Sequence, residues 1–198
     1  EFNKWLKFGL TAYIENDYLR YGYLVDSVLT HRNQSNTRVG GVLSKNRGDL
    51  LRYNISGELT FLGPKAGDMM LDGNLSSYFN LFKQKINLIA HGYVKRQNPS
   101  EFLNFYHSNH FRWQRNFAAM YKTRLGGTFA IPTLGFDFNL SVDNLTDMVY
   151  FDKEALPQQH NGNIQVVAAN LKQDFRVGSF TLENNVVYQL SSNQSVLP

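Results

Sequence analysis

From Leu50 to Leu62, apolar and polar residues alternate without a break. The apolar or small positions are Leu51, Tyr53, Ile55, Gly57, Leu59 and Phe61. Side chains of a β-strand point to opposite faces with a period of two, so this run predicts one long strand with an apolar face and a polar face. It is longer than the strands of about five or six residues that are usual in soluble proteins, and longer than the roughly 9 to 11 residues with which a tilted strand crosses a bilayer. This length favours a membrane β-barrel.

The same alternation recurs along nearly the whole chain. Further clear runs cover residues 6–14, 69–81, 86–94, 111–129 and 134–142, with weaker ones at about 18–26, 38–46, 164–176 and 180–190. No segment shows the helical period. The sequence therefore predicts an all-β fold, in which about ten strands belong to a transmembrane antiparallel up-and-down β-barrel. Residues 1–198 are expected to be part of this single domain, with no second domain.

The predicted connections alternate between tight and long. The tight ones are Glu15–Asp17, Asn46–Gly48, Phe82–Gln84, Ile131–Thr133 and Val177–Ser179. The long ones are His31–Thr37, Gly63–Asp68, Gln97–His110 and Thr146–Gly162. An outer-membrane barrel has short turns on its periplasmic rim and longer loops outside, so the tight set is predicted to lie at the periplasmic rim.

Composition excludes several classes of protein. The chain has 198 residues, of which 42% are hydrophobic, and a mean hydropathy of −0.37. These values exclude helical membrane spans but suit a barrel, in which only every second strand residue meets lipid. The absence of cysteine excludes a disulfide scaffold and thiolate metal sites. The net charge of +4 is spread over polar strand positions, so nucleic acid is not an expected partner.

The ends of the sequence suggest an interior piece of a longer barrel. Glu1 opens almost directly into a strand pattern with no initiator Met or signal peptide, and residues 191–198 have a loop-like composition. We therefore expect the barrel to be incomplete in this chain.

A soluble barrel or sandwich also alternates, and the period alone does not say which face points inward. Two features favour lipid on the outside. About ten strands with five or six apolar positions each would overfill a small barrel, which eight strands already fill. In addition, Gly57, Gly73, Gly92 and Gly127 occupy apolar-face positions where a soluble core would need bulk.

The two predicted faces define the candidate site residues. Residues predicted to line a water-filled lumen are Lys7, Arg52, Glu58, Asp72, Lys85, His91, Lys95, Arg112, Lys122, Arg124, Asp137 and Glu183. Residues predicted to face lipid are Leu51, Ile55, Leu59, Leu71, Leu75, Leu88, Phe117, Phe136, Phe138 and Leu140. Because the polar face carries both signs of charge, it predicts weak ion selectivity.

Catalytic or metal chemistry has little support in the sequence. The segment from Tyr106 to His110 contains two histidines and Ser108, but no third metal ligand and no partner that would fix a histidine as a base. We therefore expect no enzymatic activity and no cofactor.

Several stretches resemble a known family. They are 50–54 leading to Gly57-Glu58, the segment 106–113, the residues 143–146 followed by Tyr150-Phe151, and the tail 184–189 with 195–198. From about Tyr21 onward the chain resembles the putative porin family of Bacteroides-type Gram-negative outer membranes. The resemblance implies an outer-membrane barrel embedded in lipid and lipopolysaccharide.

Two functions follow as expectations. The first is a porin-like channel for passive or weakly selective diffusion of small hydrophilic solutes. The alternative is a structural or assembly barrel that scaffolds a surface lipoprotein or another outer-membrane protein and conducts little. A homo-oligomer is compatible with either function.

Overall fold

The computed structural model describes residues 8–25, 28–48 and 50–193. Thirteen strands form one large sheet and two small hairpins. The strands are β1 (Gly9–Val25), β2 (Val28–Lys45), β3 (Arg52–Leu62), β4 (Met69–Leu81), β5 (Gln84–Gln97), β6 (Phe105–His107), β7 (Arg112–Gln114), β8 (Met120–Ile131), β9 (Phe136–Thr146), β10 (Val149–Phe151), β11 (Pro157–Gln159), β12 (Asn163–Val177) and β13 (Phe180–Ser191). One helical turn, α1 (Glu101–Asn104), precedes β6, and a 3₁₀ turn (Pro132–Leu134) precedes β9.

The large sheet is antiparallel, and each of its strands pairs with the strand of the same sheet that follows it in the sequence. Its nine strands follow the order β1-β2-β3-β4-β5-β8-β9-β12-β13. The hairpins β6–β7 and β10–β11 lie within the connections that lead to β8 and β12. The all-β, up-and-down prediction is confirmed. Within the described residues β1 and β13 are the two edges of an open sheet, as expected for an incomplete barrel.

The connections alternate along the sheet much as predicted. Connections of two to six residues join β2 to β3, β4 to β5, β8 to β9 and β12 to β13. At the opposite ends of the strands lie the connection 63–68, which also has six residues, and the much longer connections 98–119 and 147–162. Phe82 and Lys83 both have positive φ, 50° and 64°, as in the two-residue hairpin turns that match strand twist. Gly135, at φ 61°, ends the 3₁₀ turn in a conformation that favours glycine.

Two predicted connections near the start of the chain are wrong. The predicted turn Glu15–Asp17 and loop His31–Thr37 lie inside β1 and β2, which are 17 and 18 residues long. Polar side chains across this ladder bond one another: Asn16 Nδ2 donates to Ser35 Oγ at 3.1 Å and to Thr37 Oγ1 at 2.8 Å. Such cross-strand pairs stabilise a strand that is polar on both faces. The sheet therefore has nine described strands instead of about ten.

The predicted strand 111–129 is also wrong. It is split between β7 and β8, and residues 115–119 are irregular. Their backbone donors find partners in other loops: the N–H groups of Arg115 and Phe117 donate to the main-chain and side-chain oxygens of Asn104, at 2.6 and 3.1 Å. Consequently Arg112 and Phe117, assigned to lumen and lipid from that strand, lie outside the large sheet.

In this sheet the polar face is more buried than the apolar face. Residues directly opposite one another across each ladder share a face, which makes one face mainly apolar and the other mainly polar. Every buried residue of the described sheet except Ile86 lies on the polar face. Large apolar side chains on the other face are exposed, among them Leu125 at 73% and Leu71 at 54%. A soluble protein would bury the apolar face.

The helical segments are short. No helix among the described residues is long and apolar enough to cross a membrane.

Candidate functional site on the polar face

The register brings most of the predicted lumen residues to one face. They are Arg52, Glu58, Asp72, Lys85, His91, Lys95, Lys122, Arg124, Asp137 and Glu183. Lys7 lies outside the described residues, and Arg112 lies in the β6–β7 hairpin. Their common face makes the lumen assignment geometrically consistent. That this face lines water stays a prediction.

The predicted lipid-facing residues share the other face. Those in the sheet are Ile55, Leu59, Leu71, Leu75, Leu88, Phe136, Phe138 and Leu140. Leu51 immediately precedes β3, and Phe117 lies in the irregular segment 115–119. Lipid contact likewise stays a prediction for this set.

The apolar face has the height of a membrane band. Along β5, it runs from Ile86 to Val94 and then meets Arg96, whose Nε donates to the Tyr121 hydroxyl at 3.1 Å. A nine-residue strand is about 30 Å long and, tilted by 35–45°, is roughly 20–25 Å high, close to the apolar band of about 25 Å in outer-membrane barrels. The Arg96–Tyr121 pair has the polarity expected at the edge of such a band.

An ion network crosses β1, β2 and β3 on the polar face. The Arg38 guanidinium pairs with Asp17, with Glu15 Oε2 at 3.4 Å and with Glu58 Oε2 at 3.8 Å. The Tyr13 hydroxyl donates to Glu58 Oε1 at 2.5 Å. Each carboxylate of this network therefore has a partner. The sequence prediction does not include Arg38, Glu15 and Asp17 among the lumen residues: it places Glu15 and Asp17 in a turn and Arg38 at the start of a weak strand.

A second ion pair joins β8 to β9. Arg124 Nε and Nη2 donate to the two oxygens of Asp143 at 2.6 and 3.0 Å, and the guanidinium lies 5.8 Å from the centre of the Tyr93 ring. This bidentate geometry is the stronger form of an arginine–carboxylate pair. The pair holds the side chains of Arg124 and Asp143 against the polar face of the sheet, and Asp143 neutralises the charge of Arg124.

The connection 98–119 folds over the polar face at the end where the long connections lie. Residues 28–36 of β2 pair with β1 alone, so this hairpin extends past the end of β3. The Glu101 carboxylate, only 8% exposed, accepts from Arg32 Nη1 at 2.6 Å and from Gln34 Nε2 at 2.7 Å. Edge-to-face contacts of Phe102 with Tyr21 and of Phe105 with Tyr23 accompany it.

Two loop carboxylates have shifted pKa values. Burial raises the pKa of Asp68, although an N–H donated by Asn98 at 2.6 Å opposes this. Hydrogen bonds from the Gln158 side chain and the Leu156 and Glu154 amides lower the pKa of Asp152. Both carboxylates hold their loops together through backbone donors.

The loop histidines form no arrangement that suggests chemistry. His107 pairs with Arg112 in the small hairpin, and the Ser108 hydroxyl bonds the backbone of Phe111 across a turn. In the described ranges no three His, Asp or Glu side chains come together in a way that could hold a metal ion. The expectation of no enzymatic activity stays an expectation.

Comparison with known proteins identifies the family of this chain. A family model described as putative porin matches residues 1–198, the whole chain. The chain belongs to this family. The resemblance drawn from the sequence is thereby confirmed, and the family indicates, in general terms, a porin-like role in an outer membrane. No curated protein and no solved structure matches the chain.

Proposed function

We propose that this sheet is part of an outer-membrane barrel of a Gram-negative bacterium, whose polar face lines a path for small hydrophilic solutes. The observation that carries the proposal is the inverted burial of the two faces. Apolar side chains such as Leu125 and Leu71 are exposed, while Asp143 and Ser141, on the polar face, are among the buried residues. Lipid around the apolar face would remove this exposed area from water, at about 25 cal/mol per Å².

The height of the apolar band and the alternating connections support the same arrangement. The mixed ion network of Arg38 and the Arg124–Asp143 pair would then stand in the wall of the path. Further strands would have to pair with the open edges β1 and β13 to close the barrel. Passive diffusion needs no bound cofactor, only a continuous water-filled route.

The test is conductance combined with thiol access from water. The full-length protein in planar bilayers should give stepwise currents. A charged methanethiosulfonate reagent should reduce the current through Asn87→Cys, because Asn87 lies on the polar face, and leave Leu88→Cys unchanged, because Leu88 lies on the apolar face. Equal effects at both neighbours would contradict the assignment of the faces.

A scaffolding barrel is the second candidate. The β1–β2 extension exposes Leu24, Val28 and Leu29, at 58%, 64% and 60%, beyond the rest of the sheet. Exposed apolar residues on a projecting hairpin are suited to contact another protein, such as a surface lipoprotein or a second copy of the chain. Folded protein that leaves bilayers electrically silent would favour this function over the channel.

A further inference from the structure

Two lysines lie directly opposite each other in the sheet. Lys95 of β5 and Lys122 of β8 are register partners on the polar face. Like charges in this position destabilise a sheet. Their neighbours along the same row, Met70 and Leu145, bring no compensating charge. In the described part of the chain neither ammonium group forms an ion pair or a hydrogen bond.

The carboxylates near this pair are already engaged. Asp17 and Glu58 bond Arg38, and Asp143 binds Arg124 through both oxygens. Asp68, on which Lys95 acts electrostatically, accepts the Asn98 amide and has its pKa raised by burial. The negative charges on this side of the sheet are thus largely compensated, whereas the two lysines are not.

One further carboxylate is close enough to matter. Asp72 is the register partner of Tyr93 and is therefore diagonal to Lys95 across the β4–β5 ladder. Diagonal neighbours are about 7–8 Å apart, within reach of a long side chain, but among the described residues Asp72 and Lys95 form no ion pair. Asp72 would offset at most one of the two lysine charges, so the row keeps an excess of positive charge.

Lys95 also lines a concavity. A polar hollow of about 160 Å³ lies on this side of the sheet. Its charged lining residues are Arg38, Lys65, Lys95 and Arg96 together with Asp17, Glu58 and Asp68, so the cations outnumber the carboxylates by one. The hollow lies next to the connection 63–68, at the end of the strands with long connections. A solute entering the path from that end would pass Lys95 and, directly across the ladder from it, Lys122.

We propose that Lys95 and Lys122 form an anion site at this mouth, and that the path favours small solutes carrying a phosphate or carboxylate group. This inference rests on the proposed channel and replaces the weak selectivity expected from the mixed charges of the sequence. Lysine suits the task because it is a compact, mobile point charge. A lipid phosphate is not the expected ligand, because the two lysines lie on the face opposite Leu71 and Val94.

The first test is ion selectivity in phosphatidylcholine bilayers. Under a KCl gradient the full-length protein should prefer chloride, and inorganic phosphate should reduce the chloride current. The double variant Lys95→Gln, Lys122→Gln should lower the anion-to-cation permeability ratio about threefold and abolish the phosphate effect. The matched variant Lys95→Arg, Lys122→Arg keeps both charges and should keep the preference. Open channels with the same selectivity in all three proteins would overturn the anion site while leaving the channel intact.

The second test does not require conduction. In phosphate-free detergent, the Gln double variant should unfold at a higher temperature than the unmodified protein, because the repulsion between the lysines is removed. Added inorganic phosphate should raise the melting temperature of the unmodified protein and leave that of the Gln variant unchanged. Equal responses to phosphate would overturn the site. Silent bilayers together with the expected melting behaviour would instead reject the channel and retain an anion-binding surface.

Discussion

The Tyr13 hydroxyl on β1 donates to Glu58 on β3, across the intervening strand. The row that joins them is Tyr13, Gly40 and Glu58, all on the polar face. A Cβ at Gly40 would lie 2.4 Å from Tyr13 Cζ, so the ring can lie over β2 only because residue 40 has no side chain. A single hydrogen bond of 2.5 Å therefore joins β1 to β3 over the intervening β2.

Replacing Gly40 with Ala should therefore displace Tyr13 and break its bond to Glu58. We expect a loss of about 1 to 3 kcal/mol in the free energy of unfolding, from overpacking and the lost hydrogen bond. Gly73→Ala is the matched control, since a Cβ there meets nothing within 4 Å. Denaturant titration of the refolded protein measures both. Similar losses for the two variants would mean that the Tyr13–Glu58 contact does not form.

The assignment of lipid to the apolar face can be tested at adjacent positions of β4. Leu75 is exposed on the apolar face, and Asn74 lies on the polar face opposite His91. Leu75→Arg should cost roughly 2 to 4 kcal/mol of folding free energy in liposomes, because arginine near the bilayer midplane is expensive. Asn74→Arg should cost much less. If the two penalties are equal, one of these faces does not meet lipid.

The outcome along the chain shows what a period-two pattern can and cannot predict. It identified β3, β4 and β9 because one face of each is mainly apolar. It failed at residues 15–17 of β1 and 31–37 of β2, where both faces are polar and the strands are held by pairs such as Asn16 with Ser35 and Thr37. It also failed at 111–119, because local alternation does not reveal that Asn104 takes the backbone donors.

The same limit applies to the site. The alternation correctly predicts that Lys95, Lys122 and Arg124 share one face, because the period of two assigns each residue of a strand to the apolar or the polar face. It could not predict which charges are paired. Asp17 lies 21 residues from Arg38, and Glu101 lies 69 residues from Arg32, so both pairs depend on the register and on the folding of a loop. The uncompensated lysine pair became visible only once those partners were known.

Glu101 should control how firmly the connection 98–119 is held on the β1–β2 extension. Its buried carboxylate binds Arg32 and Gln34, so Glu101→Ala should favour local opening by about 1 to 2 kcal/mol. We expect faster amide exchange and faster proteolysis within residues 98–119, with little change in global unfolding. Glu154→Ala, an exposed carboxylate in the connection 147–162, is the control and should leave exchange within 98–119 unchanged. Unchanged exchange in Glu101→Ala would contradict the anchoring role.

Asp68 and Asp152 should affect the pH dependence of stability in opposite directions. Burial raises the folded pKa of Asp68, so the folded state binds more protons than the unfolded state above the ordinary Asp value of about 3.9. The contribution of Asp68 to stability therefore falls as the pH rises through that window. Asp68→Asn should remove this decline, which is seen as the difference in unfolding free energy between variant and unmodified protein across the window.

For Asp152 the sign is reversed. Its folded pKa is lowered, so its contribution is present above the ordinary Asp pKa of about 3.9 and is lost as the pH falls through the lowered value. Asp152→Asn should therefore destabilise the protein at neutral pH and have little effect in acid. If the unfolding free energies of the two variants change with pH in the same way, at least one of these assignments is wrong.

The alternation of connections predicts that the two ends of the strands lie on opposite sides of the membrane. Residues 1–198 contain no cysteine, so each variant introduces one thiol into this part of the protein, and the unmodified protein serves as the labelling control. Asn161, exposed in the connection 147–162, is a better position than its neighbour Gly162, whose φ of 125° disfavours any side chain. Ser179 lies in the tight turn between β12 and β13.

On intact cells an impermeant maleimide should react with Asn161→Cys, because long loops face outward in outer-membrane barrels. It should react with Ser179→Cys only after the outer membrane is permeabilised. An inverted barrel would exchange the two results, and equal labelling of both sites on intact, unleaky cells would refute the membrane topology altogether.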